Sequence, residues 1–179
     1  MRKDIERILI SEEELQNKVS EMGKQISRDF QGKDPIFVGV LKGCFIFMAD
    51  LMRYVDISCS MDFMSVSSYS GTSSTGAVKI NKDLGEDIEG RHLIIVEDIL
   101  DSGVTLSYLK QYLMVRKPAS ITIATLMDKP ARRKADIYAD YSCFEIPDAF
   151  VVGYGLDYCQ QYRNVPYIGV LKPEVYSGK

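Results

Sequence analysis

Apolar residues recur along this 179-residue chain in two rhythms, and the rhythms predict its elements. In "SEEELQNKVSEMGKQISRDFQG", Leu15, Val19, Met22, Ile26 and Phe30 fall three or four residues apart, which sets them on one face of a helix. Ser11 is a natural cap, Glu14 three residues later completes a capping box, and Gly32 and Pro35 end the run. "IFVGVL" is instead a short unbroken apolar stretch, as expected of a strand buried on both faces, and a helix over 44–53 follows it. "DISCSMDFMSVSSY" and "AVKINKD" predict extended segments on either side of "SGTSSTG", whose Gly, Ser and Thr suit a mobile hairpin loop. "HLIIVED" predicts a second buried strand with its crossover helix over 106–115, and "ITIATLMD", "AFVVGYG" and "YIGVL" predict further strands.

Strands alternating with helices predict an α/β fold with a mainly parallel central sheet flanked by helices, plus one antiparallel hairpin around the loop. Ligands of such sheets sit beyond the carboxyl ends of the strands. The residues to examine are therefore those just after "IFVGVL", "LIIV", "ITIATLMD" and "AFVVGYG". No repeat, low-complexity tail or linker divides the chain, so residues 1–179 are expected to form one domain.

Composition narrows the function. A formal net charge of -3 gives no bulk attraction to nucleic acid or to an anionic membrane. The local basic cluster "KPARRK", with Lys129, Arg132, Arg133 and Lys134, lacks the interleaved aromatics of a single-strand binder, so no nucleic-acid partner is expected. Cys44, Cys59, Cys143 and Cys159 form no CxxC pair and His92 stands alone, which argues against zinc. "MRKDIERILI" does not read as a signal peptide and no stretch is long enough to span a membrane; a soluble, reduced, cytoplasmic protein is expected.

The densest chemistry lies in "LIIVEDILDSGVT", residues 93–105. Glu97 and Asp98 at a strand end can accept hydrogen bonds from a vicinal diol or hold a hydrated divalent cation. Immediately after them, Ser102 and Thr105 offer hydroxyls, and Gly103 lets several amides, Val104 among them, face one anion at a helix N-terminus. The combined preference is for a sugar phosphate. Asp101 lies between the two sub-sites, where its carboxylate either takes a proton from the group attacking the sugar or merely caps the helix. "GTSSTG" has the glycine spacing of a Walker loop, but Ala77 and Val78 stand where Lys and Ser/Thr are required.

The thirteen-residue run resembles the phosphoribosyl diphosphate signature of the type I phosphoribosyltransferases, in which the loop binds the 5'-phosphate and the acids hold the ribose hydroxyls. Three more segments extend the likeness. "LKG", Leu41 to Gly43, matches the family's diphosphate loop, which implies that Lys42 and Gly43 bind diphosphate and that the peptide before Lys42 is cis. "SSYSGTSSTG" resembles the flexible loop of the hypoxanthine-guanine branch, with Ser68 and Tyr69 as the pair that closes over the reacting centre. "EIPDAFVVGYGLDY" resembles that branch's purine-binding stretch. By position, Phe150 stacks on the purine, Val151 bonds its edge through main-chain atoms, and Asp157 joins Glu97 and Asp98 in holding magnesium. Lys129 takes the place of the lysine that donates to the 6-oxo group, and Arg163 that of an arginine on the diphosphate. Such a lysine favours oxopurines, because adenine presents a donor where the carbonyl should be.

The resemblance thus implies a magnesium-dependent transferase that uses a purine base and phosphoribosyl diphosphate, with a small hood over the sheet and a dimeric or tetrameric assembly. A relative that acts on xanthine, or a non-catalytic sensor of the sugar diphosphate, would share most of these residues.

Overall fold

In the computed structural model, which describes residues 2–68 and 78–177, the chain opens with strand β1 (Ile5–Ile10) and helix α1 (Glu12–Asp29). The expected capping box is formed: Ser11 Oγ accepts from the Glu14 amide at 3.3 Å, and the Ser11 amide donates to Glu14 Oε2 at 2.8 Å. Leu15, Val19, Met22, Ile26 and Phe30 are all buried. There follow β2 (Ile36–Leu41), α2 (Phe45–Met52), β3 (Ser60–Ser68), β4 (Val78–Lys82), β5 (His92–Leu100) and α3 (Val104–Met114). The chain continues through β6 (Ser120–Asp128), β7 (Tyr141–Glu145), β8 (Val151–Val152), β9 (Ile168–Leu171) and the short α4 (Pro173–Tyr176).

The central sheet has the order β4-β3-β2-β5-β6-β7, parallel throughout except for the β3–β4 hairpin. Alternation along the inner strands splits their side chains between two cores. Phe37, Ile94 and Val96 join α1 and α2 on one face; Ile36, Val38, Val40, Leu93 and Ile95 join Leu106, Leu109 and Leu113 of α3 on the other. Burying each such side chain is worth about 1.5–3 kcal/mol, which is why these strands read as unbroken apolar runs. From β2 the chain moves outward to β3 and β4, then returns to start β5 on the other side of β2. The β2/β5 boundary is the topological switch point where such sheets bind ligands.

Several elements depart from the sequence reading. "AFVVGYG" and "YIGVL" do not extend the main sheet: β9 pairs antiparallel with both β1 and β8 in a separate sheet of order β1-β9-β8, the hood. Only Val151–Val152 of "AFVVGYG" is strand, since Gly153, Tyr154 and Gly155 all turn through positive φ. The sequence pattern did not reveal β1 and β7, edge strands with little inward alternation whose neighbours come from distant chain. "DISC" stays outside β3, which begins at Ser60. α3 starts two residues earlier than expected because Gly103, at φ +77, already occupies the N-cap. Among the described residues no helix is long and apolar enough to cross a membrane.

Candidate active site

Strand β5 pairs with β2 only as far as Val96 beside Gly39, yet runs on against β6 until Leu100 meets Asp128. Glu97, Asp98 and Ile99 therefore lie past the last residue pair that joins β5 to β2. Below them the Leu41–Lys42 peptide is cis, as the resemblance implies, and the Lys42 side chain is exposed. The fit is close enough to dictate glycine. A Cβ on Gly43 would overlap the Asp98 carboxylate, and one on Gly155, at φ +105, would overlap the carbonyl of Gly43. The "LKG" turn, the acid pair and the "GYGLD" loop thus nest backbone against backbone, though they are far apart in sequence.

Crowding sets the electrostatics. Burial pushes the Asp98 carboxyl up to about 6; the charge of Asp157 adds to this, while the Ile99 amide and the Arg163 guanidinium oppose it. Glu97 is raised well above the ordinary range, by burial first and by Asp98 second. Asp157 and Arg163, expected on magnesium and on diphosphate, are paired to each other at 2.6 Å, and Arg163 also donates to the Gly155 carbonyl at 2.7 Å. Cys44 beside this cluster is buried and its thiol is pushed up, which removes it as a nucleophile at neutral pH. The expected trio of Glu97, Asp98 and Asp157 is not a ready-made cage: among the described residues, no group of three or more His, Cys, Asp or Glu could hold a metal ion. The donor set still fits magnesium. That ion binds through one or two carboxylates and completes its octahedron with waters and phosphate oxygens.

Next along the chain, a pocket of about 130 Å³ opens between Glu97, Asp101, Ser102, Gly103 and Thr105. Gly103, rather than Asp101 or Ser102, is the N-cap of α3, and Ser102 Oγ accepts only a long 3.4 Å bond from the Val104 amide. The first-turn amides of α3 have no helical acceptor, and beyond the weak Val104 bond they point to where an anion could bind. Behind the turn, Arg133 donates from Nε to the Asp101 carbonyl at 3.0 Å, from Nη1 to the Ile137 carbonyl at 2.7 Å, and pairs with Asp128. The Lys134 and Ala135 amides donate to the Ser102 carbonyl at 2.9 and 3.1 Å. Sequence reasoning placed Arg133 in a basic surface cluster and missed this buttress, because no local pattern links residues 32 apart.

A larger pocket of about 480 Å³ lies on the other side of Asp101, lined by Ile99, Lys129, Arg132, Asp148, Phe150, Val151, Leu156 and Tyr176. Lys129 is only 5% exposed; its ammonium donates to the Ala149 carbonyl at 2.9 Å and retains further donors for a ligand. Phe150 is half-exposed, stacked on Tyr176 at 4.8 Å and 18° and met edge-on by Tyr158. Val151 belongs to the hood's edge strand, so one row of backbone groups there is unpaired. Asp101 and Ile99 line both pockets. The lid expectation cannot be placed in the same way: Tyr69 and residues 71–76 lie outside the described residues, as does the side chain of Ser68.

Residues 10–159 match the family described as phosphoribosyl transferase domain. The chain is 59% identical over 178 residues to a hypoxanthine-guanine phosphoribosyltransferase of Bacillus subtilis, covering 99% of each chain. It is 53% identical over 175 residues to the Streptococcus pneumoniae protein of the same name, covering 97% of each. A crystal structure of a hypoxanthine phosphoribosyltransferase from Staphylococcus aureus superposes with a TM-score of 0.95 at 54% identity, over 98% of this chain and 96% of that one. With the signature turn, the nested loops and the fold in agreement, the chain belongs to the phosphoribosyltransferase family, among the hypoxanthine-guanine phosphoribosyltransferases of purine salvage.

Proposed function

We propose that the chain transfers the 5-phosphoribosyl group from phosphoribosyl diphosphate to hypoxanthine and guanine, releasing diphosphate. The observation that carries this reading is the shared wall: Asp101 borders a small pocket at a helix N-terminus and a larger one containing a buried lysine and an exposed aromatic ring. A sugar phosphate in the first and a flat base in the second would meet at Asp101.

The 5'-phosphate takes the amides of the α3 first turn with Ser102 and Thr105. The ribose diol faces Glu97 and Asp98, whose carboxylate oxygens accept from its hydroxyls. Asp157 and the acid pair would hold magnesium, which when bound would neutralise charge on the diphosphate. Lys42 and Arg163 bind the same group as its bond to C1 lengthens and its charge grows, for which Arg163 exchanges Asp157 for phosphate oxygens. The base is held flat by Phe150, its 6-oxo group accepts from Lys129, and its edge meets the Val151 backbone. N9 attacks C1 while Asp101 receives the proton carried on N7. No side-chain nucleophile takes part.

The test is product formation from phosphoribosyl diphosphate and magnesium with hypoxanthine, guanine, xanthine, adenine, uracil and orotate in turn. Nucleoside monophosphate is expected from the first two. No product from either sinks the reading, and a faster reaction with xanthine moves the assignment to that base.

A further inference from the structure

Across the mouth of the larger pocket, Arg132 faces Asp101. Its Nε lies 3.3 Å from Asp101 Oδ1, and its Nη1 lies 3.7 Å from Asp148 Oδ1, the oxygen that Lys129 Nζ also approaches at 3.7 Å. Four charges therefore alternate in sign along one wall: Asp101, Arg132, Asp148 and Lys129. Among the described residues, Asp101 Oδ1 is shut from solvent yet accepts no hydrogen bond, because the Arg132 contact has the distance of an ion pair without the alignment of a bond. A buried carboxylate oxygen without a donor is costly. The donor missing from this wall is the kind that a ring N–H of a bound base provides.

Arg132 is 53% exposed and Asp148 58%, so these contacts add little to folding stability. Their consequence is geometric. A planar guanidinium set between two carboxylates restricts the Asp101 side chain, which otherwise has solvent on one side and freedom to rotate away.

We propose that Arg132 is a positioning residue for the transfer: bridged between Asp101 and Asp148, it holds the Asp101 carboxylate where the ring nitrogen of the base arrives. This rests on the reading of Asp101 as the group that meets the ring N–H. Arg132 acts through Asp101 and touches no reacting atom, so its contribution should vanish when the Asp101 carboxylate is gone.

A double-mutant cycle of R132A and D101N reads that dependence, with kcat and both KM values taken from nucleoside monophosphate formation with hypoxanthine. R132A should lower kcat about tenfold and leave the KM for phosphoribosyl diphosphate unchanged. In the D101N background it should lower kcat no further. A loss that persists in D101N, or an R132A enzyme with undiminished kcat, overturns the proposal. A D101N enzyme with undiminished kcat overturns the Asp101 reading instead, so the two failures are told apart. D148N frees the outer tether without touching Asp101 and should also lower kcat at an unchanged melting temperature; a D148N enzyme with full kcat contradicts the bridge.

Discussion

A lysine is almost never fully buried unless its charge is answered, and the ammonium of Lys129 is met by the Ala149 carbonyl at 2.9 Å and a half-exposed Asp148 at 3.7 Å. It is therefore a donor held ready for a carbonyl at a fixed place. Replacing it by Met removes a charge-assisted bond of about 1.5–3 kcal/mol, so kcat/KM for hypoxanthine should fall roughly ten- to a hundredfold. Adenine should not suffer the same loss, and the hypoxanthine-to-adenine ratio in steady-state kinetics measures the difference. An unchanged ratio removes Lys129 from base selection. At this scale the sequence was most informative where chemistry is contiguous. Glu97, Asp98 and the Asp101–Thr105 turn are neighbours in the chain and remain neighbours at the site. Arg132 and Arg133 looked alike as two of four clustered bases, yet one faces the pocket mouth and the other braces the back of the turn. Only the folded backbone separates those roles.

Elements meet at the site through glycine. Gly43 lies under Asp98, and Gly155 lies against the Gly43 carbonyl. G155A forces a side chain into backbone at positive φ, and is expected to destabilise the protein by about 1–3 kcal/mol while raising the KM for phosphoribosyl diphosphate. Thermal melts and kinetics on one preparation check both; a stable G155A enzyme with normal KM contradicts the nesting. The same loop is tethered by Tyr154, whose hydroxyl donates to Asp50 Oδ2 at 2.5 Å, an oxygen that also accepts from Gln16 at 2.8 Å. Y154F should cost about 1.5–3 kcal/mol in denaturant melts, since the lost bond is to a charged, partly buried acceptor. Wild-type stability would show that the tether is idle. The inner strands and α1 were legible because burial on both faces, or on one face with a cap, leaves a pattern in sequence. The hood was not. Its strands are short, β1 is mostly exposed, and their pairing joins residues 5–10 to 168–171.

Over the whole molecule, the site stores negative charge that folding disfavours. The Asp98 carboxyl rises to about 6, above the ordinary value of about 3.9, so the folded state holds that proton more tightly than the unfolded chain. Stability contributed by this group is present at low pH and is lost as pH rises between about 4 and 6, with no further change above. D98N should therefore be more stable than wild type at pH 7.5 by on the order of 1 kcal/mol, and this advantage should shrink towards pH 4.5. Melting temperatures of both proteins across that range measure it, and a difference that does not vary with pH rules it out. Under the proposed function, a cation arriving with the sugar diphosphate would relieve the same repulsion.

In the proposed reaction one carboxylate, Asp101, separates a phosphate cradle from a purine pocket. A crystal structure of the protein with inosine monophosphate tests it most directly. The complex is expected to show the 5'-phosphate on the amides of Ser102–Thr105, the 6-oxo group within hydrogen-bond distance of Lys129 Nζ, the base against Phe150, and Asp101 facing N7. A phosphate bound elsewhere, or a base seated outside the Lys129–Phe150 pocket, would contradict it.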